Sequence, residues 1–277
     1  MHENEMRENE MPEEEIVVNE TAMTSAPAAT PPVPADLLRT AADPALTQDL
    51  ALALLHRGDL PSDVLEQLAR NATPLKSRKV RIALACHPHT PRHVSVPLAR
   101  QFYTFDLMKV ALAPEVPADV KVAVDDVLIA RLKTITLGER LTLARRASGR
   151  VAAALLLDVE NLDAKNADAK NVDAKTIARA TRVMQTALEN PRLTEAFIIN
   201  AVLDRSASAG LVHGVARHSK WSHRREIRVA LLRSEHLSLA RALEFSRDVP
   251  ARLLHELLAS SRLPDPIKDQ LQRENSA

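Results

Sequence analysis

Apolar residues in this chain recur at helical spacing. Val64, Leu65 and Leu68 within Asp63–Arg70 share one face of an α-helix, as do Leu253, Leu254, Leu257 and Leu258 within Ala251–Ala259. From about residue 35 onward the chain reads as a run of such segments, each about 9–15 residues long. Short breaks carrying Pro, Asp, Asn or Thr separate them, and helices joined so tightly pack as antiparallel neighbours.

The breaks resemble one another. Leu60-Pro61-Ser62-Asp63-Val64 returns as Thr90-Pro91-Arg92-His93-Val94, Val116-Pro117-Ala118-Asp119-Val120 and Val249-Pro250-Ala251-Arg252-Leu253. Leu193-Thr194-Glu195-Ala196-Phe197 is a version without Pro, and Leu263-Pro264-Asp265-Pro266-Ile267 a terminal one. Pro suits the first helical turn, where its missing N–H is not needed, and an acidic residue there complements the helix dipole. Pro61 to Pro91 is 30 residues and Pro91 to Pro117 is 26. Pro117 to Thr194 is 77, or 62 without an insert, and Thr194 to Pro250 is 56. Units of about 26–31 residues, one helix pair each, account for these intervals. The insert is Asn161–Lys165, Asn166–Lys170 and Asn171–Lys175, which read NLDAK, NADAK and NVDAK. A period of five forms no continuous apolar stripe, so residues 160–175 are expected to be a low-complexity surface excursion.

Composition fixes the class. Leu and Ala dominate, aromatic residues are 2%, and Gly occurs five times. Strands favour aromatic and β-branched residues, helices favour Ala and Leu, and scarce Gly removes hairpin turns and phosphate-cradling loops. The expectation is an all-α fold, an α-solenoid of stacked helix pairs spanning residues 35–277. Residues 1–34, Glu/Asn-rich and then Pro-rich, are expected to be a disordered leader. Residues 1–35 hold eight Glu and one Arg, so a net charge of +1 conceals −7 in the leader and +8 in the remainder. The longest apolar run, Val151–Leu157, is far short of a membrane span, and the acidic start is unlike a signal peptide. A soluble, cytoplasmic protein with no membrane partner is expected. Cys86 is the single cysteine, which excludes an internal disulfide and a Cys-rich metal site.

Arg70-Asn71-Ala72-Thr73-Pro74, Ala85-Cys86-His87-Pro88-His89-Thr90-Pro91 and Glu189-Asn190-Pro191-Arg192-Leu193-Thr194 resemble the A-x-N-P-x-T-P turns of bacterial leucine-rich-repeat-variant and HEAT-like solenoid proteins. Leu137–Leu141 and Leu143–Ala147 are also similar to a segment common in uncharacterised bacterial members of that group. The resemblance covers about residues 45–270 and implies stacked helices serving as a binding scaffold, with no activity implied. Cys86-His87-Pro88 departs from the usual Asn-Pro, and the pentapeptides are foreign to the pattern.

Two constellations invite a functional reading. Cys86, His87, His89 and His93 are the densest set of metal-capable side chains, and thiolate plus imidazole suits zinc. Pro88 and Pro91 fix the backbone between them, and the competing reading is a repeat turn whose polar positions are His. Arg217, His218, Lys220, Trp221, His223, Arg224, Arg225 and Arg228 form the strongest basic concentration. On a helix over Ser222–Arg233, Ile227, Ala230 and Leu231 would face the core. Arg217, Lys220, Arg224, Arg225 and Arg228 could then track phosphates, with Trp221 stacked on a base. The competing reading is a solvated face with Trp221 as a packing anchor.

Catalysis has no such constellation. Asp125 and Asp126 point about 100° apart on a helix and make no facing dyad. The G-x-S-x-G, H-E-x-x-H, P-loop and dinucleotide patterns are all missing. Gly210 and Gly214 are spaced for close helix approach, and Phe102, Tyr103 and Phe105 form one aromatic group that fills a gap between helix layers or anchors a partner. The sequence therefore predicts a non-enzymatic helical-repeat scaffold for a protein partner, with no catalytic residue, cofactor, metal or small-molecule substrate. A nucleic-acid-binding solenoid using residues 217–228 is the alternative.

Overall fold

The breaks do their predicted work with one shift of register. Pro61, Pro91, Pro117 and Pro250 each occupy the N-cap, with extended backbone, rather than the first helical position. Proline is as suitable there, because the N-cap N–H also has no intrahelical partner. Thr47, Ser148 and Ser208 cap other helices by accepting a backbone N–H, and Thr136 with Glu139 forms a reciprocal capping box.

The computed structural model describes residues 35–158 and 174–275, and these form seventeen helices with no strand among the described residues. The first eight are α1 (Ala35–Ala42), α2 (Gln48–Leu55), α3 (Ser62–Arg70), α4 (Ala72–Leu75), α5 (Arg78–Cys86), α6 (Arg92–Ala99), α7 (Thr104–Leu112) and α8 (Ala118–Arg131). Next come α9 (Leu137–Arg146), α10 (Gly149–Leu157), α11 (Ala174–Leu188), α12 (Glu195–Leu203) and α13 (Ala209–Arg217). The last four are α14 (Arg225–Leu232), α15 (Leu239–Ser246), α16 (Ala251–Ser260) and α17 (Asp265–Asn275). The expected leader lies outside the described residues, and so does the insert up to residue 173. Ala174 and Lys175, the end of the third pentapeptide, already belong to α11. No helix among the described residues is long and apolar enough to cross a membrane.

Besides packing on adjacent helices, many helices pack on the next but one in sequence. α6, α8, α10, α12, α14 and α16 form one row in which each touches its successor. α9, α11 and α13 form a second row, tied to the first through α9–α10, α10–α11 and α13–α14. Apolar faces meet between the rows, as amphipathic helices require. One core gathers Leu107, Leu128, Leu143, Leu155, Leu188, Ile198, Leu231 and Phe245, and a smaller one around α1–α5 gathers Leu46, Leu60, Leu65, Leu68 and Leu84. Leu98 packs against both. Arg140 on α9 and Asp158 at the end of α10 are both buried and pair at 2.7 Å.

A side-chain device repeats along the chain. At Asp43, Asn71, His87, Asn190, Asp204, His218 and Ser234 the side chain accepts the backbone N–H two residues on. Three of these side chains also donate to carbonyls two or three helices back. Asn71 Nδ2 reaches Ala41 O and Asp43 O, 30 and 28 residues earlier. His87 Nε2 reaches Arg57 O, 30 residues earlier. Asn190 Nδ2 reaches Ala144 O and Ala147 O, 46 and 43 residues earlier, or 31 and 28 without the fifteen pentapeptide residues. These bonds supply donors to carbonyls at or just past helix ends, where the intrahelical ladder stops.

Candidate anion-binding face

The histidine-rich turn after α5 is structural. His87 Nδ1 accepts the His89 N–H, so Nε2 carries the proton and donates to Arg57 O at 2.9 Å. His89 Nδ1 donates to Leu60 O at 2.9 Å, and His93 Nε2 lies 3.3 Å from Glu66. Burial pushes the Cys86 thiol up to about 11. Cys86, His87, His89 and His93 therefore do not converge. His87 stands where Asn71 and Asn190 stand in sister turns, and no group of three metal-capable side chains assembles among the described residues.

The basic run at 217–228 does not form one ridge. Trp221 is 3% exposed, and its Nε1–H donates to Leu188 O at 2.8 Å. The ring is a packing anchor between layers and is closed to a base, which corrects the stacking role expected of it. Lys220 lies over the same ring with its ammonium 4.0 Å from the centroid. Arg228 turns inward, donating to Ser222 O at 2.7 Å, pairing with Asp248 and covering the Phe245 ring. Arg224 is the N-cap of α14 and Arg225 its first residue, both exposed, so the helix starts three residues later than the expected Ser222. Ile227, Ala230 and Leu231 face the core as expected. Arg217 belongs to α13, in the other row.

Basic side chains do converge, but along α11. Between α9 and α11 a groove of about 320 Å³ is lined by Leu141, Thr142, Arg145, Arg146, Arg182 and Thr186. The guanidinium groups of Arg145, Arg146 and Arg182 make no hydrogen bond or ion pair with another described residue. Lys175 and Arg179 precede Arg182 at spacings of four and three, which places them on the same helical face. Between α11 and α13 lies a second groove of about 550 Å³, with Met184 and Leu188 at its base and Gln185, Glu189, His213, Arg217 and His218 around it. Burial holds the His218 imidazole below its usual value; Glu189 opposes this and Lys220 adds to it. Gly214 gives α13 its close approach, since a Cβ there would meet Met184 Cε at 3.0 Å, while at Gly210 it would only touch Ser208 Oγ at an ordinary 3.7 Å.

The chemistry of this face is cationic. α10, α11 and α13 contain no Asp or Glu. Glu139 of α9 is held by its capping box, leaving Glu189 as the one carboxylate among the described residues that line either groove. No hydrogen bond joins a nucleophile to a base in either groove among the described residues. Asp125 and Asp126 are separated as expected: Asp125 is buried and accepts from Ser148, and Asp126 pairs with Arg150. The Lys175, Arg179, Arg182 stripe is readable in the sequence as a helix without acids. Its union with Arg145 and Arg146 is not, because the pentapeptides lie between them. Models of known protein families, curated proteins and solved structures yield no match to this chain.

Proposed function

We propose that this chain is a non-enzymatic helical-repeat binding scaffold, a solenoid of stacked helix pairs of the HEAT-like, leucine-rich-repeat-variant kind that its turns resemble. Next-but-one helix packing and side-chain bonds spanning 28–31 residues support that architecture. The scaffold holds an anionic macromolecule on the face built by α9, α11 and α13. The observation that carries this reading is the groove where Arg145, Arg146 and Arg182 meet without a described acidic partner.

Exposed apolar side chains give no rival surface of the same coherence. Leu50, Val122, Ile177 and Leu239 sit singly on four helices, and single exposed apolar residues are ordinary. Of the aromatic group, Phe102 is buried while Tyr103 and Phe105 are exposed at the start of α7, where Tyr103 lies under Arg78. The sequence-level expectation of a protein partner thus narrows to a partner that presents negative charge.

A photoreactive residue at Gln185, between the two grooves, tests the reading in an extract of the source cells. The full chain is expected to give a discrete cross-linked adduct that is lost on combining Arg145→Glu, Arg146→Glu and Arg182→Glu. An adduct indifferent to those three reversals, or no adduct at all, would overturn it.

A further inference from the structure

We infer that the anionic macromolecule is double-stranded nucleic acid, gripped by its phosphate backbone without base readout. This inference rests on the α9–α11–α13 face being the binding surface. Arg145 and Arg146 come from α9, Arg179 and Arg182 from α11, and Arg217 from α13, three helices that are neighbours in one row. Neighbouring packed helices are about 8–10 Å apart, so the five guanidinium groups are spread over a width of roughly 20 Å. A duplex carries one negative charge per ~1.7 Å of its axis, dense enough to meet cations wherever they fall on such a face. An extended acidic peptide advances about 3.3 Å per residue and turns alternate side chains away, so it meets the same face with far fewer charges.

The kind of side chain points the same way. Five of the six cations are Arg, whose planar fork engages phosphate oxygens in pairs, and only Lys175 is a point charge. Neither groove has a Phe, Tyr or Trp among its lining residues, and the one tryptophan nearby is buried. Single strands are held largely by stacking on large aromatic rings, and this face offers only the imidazoles of His213 and His218 at the second groove. The hydroxyls of Thr142 and Thr186 donate to Gly138 O and Arg182 O of their own helices, so they are not free to donate to base edges. Recognition is therefore by charge and shape, indifferent to sequence.

Fluorescence anisotropy with the full chain tests this, using two 20-base-pair DNA duplexes of unrelated sequence, an RNA duplex, a 20-nucleotide single strand and polyglutamate. Both DNA duplexes are expected to bind equally and more tightly than the single strand, and the RNA arm shows which duplex form fits better. Six phosphate contacts, one for each cation, give a log–log salt slope of about −5.4, hence roughly 1,800-fold weaker binding at 200 mM than at 50 mM salt. Combining Arg145→Gln, Arg146→Gln and Arg182→Gln should flatten the slope to about −2.7, or roughly 40-fold over the same range. Arg224→Gln with Arg225→Gln, in the other row, should leave it unchanged. Circular dichroism should show both variants folded, since none of these side chains bonds to another described residue. Polyglutamate binding as tightly as duplex, or a tighter single strand, would overturn the inference and leave the scaffold reading standing. Binding of neither duplex nor polyglutamate at 50 mM salt would remove both.

Discussion

Asn190 shows how much one side chain carries here. It is fully buried, accepts the Arg192 N–H, and donates to two carbonyls at the end of α9. Asn190→Ala would strand those acceptors away from water, at a cost of about 1–3 kcal/mol in urea unfolding. Asn71→Ala breaks the same pattern where water can replace the amide, so its loss should be the smaller of the two; equal losses would show that burial is not what matters. Asp125 poses the opposite case, because burial raises its pKa, with Ser148 and Arg150 opposing and Asp126 reinforcing. Its ionised form is disfavoured in the fold, so it weakens stability above its folded pKa and stops doing so as pH falls to the ordinary Asp value. Asp125→Asn should therefore raise Tm at pH 7, with the difference closing near pH 4; a constant difference would refute the assignment. The sequence exposes residue types but not their partners. Cys86, His87, His89 and His93 look like ligands because they cluster, and only the arrival of Arg57 O and Leu60 O, 30 and 29 residues earlier, makes His87 and His89 structural.

At the scale of elements, helix positions were largely legible and helix contacts were not. Val64, Leu65, Leu68, Leu254, Leu257 and Leu258 are buried where their spacing places them. Pro and small polar residues mark the helix starts because the N-cap tolerates a missing N–H or demands an acceptor. Gly149 carries a constraint that spacing does not reveal. A Cβ there would lie 2.3 Å from Arg192 O, a backbone atom in the turn joining α11 to α12. Gly149→Ala must shift that turn or α10, and overpacking of this kind costs about 1–3 kcal/mol. Gly138 in α9 faces open space, so Gly138→Ala should be neutral or gain up to about 1 kcal/mol through helix propensity. Thermal unfolding of the pair checks the reading, and a destabilised Gly138→Ala with an unaffected Gly149→Ala would invert it. The basic face is likewise an element-level product. Arg145, Arg146 and Arg182 become neighbours because α9 packs on α11, a contact that crosses the pentapeptides.

For the whole molecule, the two apolar cores bear on how the chain comes apart. α5 sends Val80 and Leu84 into the smaller core and Ala85 into the larger, and Leu98 of α6 touches both. In the proposed stack of helix pairs each unit would be stabilised by itself and its neighbours, so damage should remain local. Leu65, fully buried in the smaller core, is the place to inflict it. Leu65→Ala leaves a cavity costing about 2–5 kcal/mol. Native-state hydrogen exchange should then show faster opening of amides in α2, α3 and α5, with α10, α12 and α14 keeping their protection. That pattern follows from helix packing made chiefly between near neighbours along the chain. A uniform loss of protection through α14 would mean that the two cores open together. The described residues would then form one cooperative globule, and the regular turns would mark helix ends without marking units.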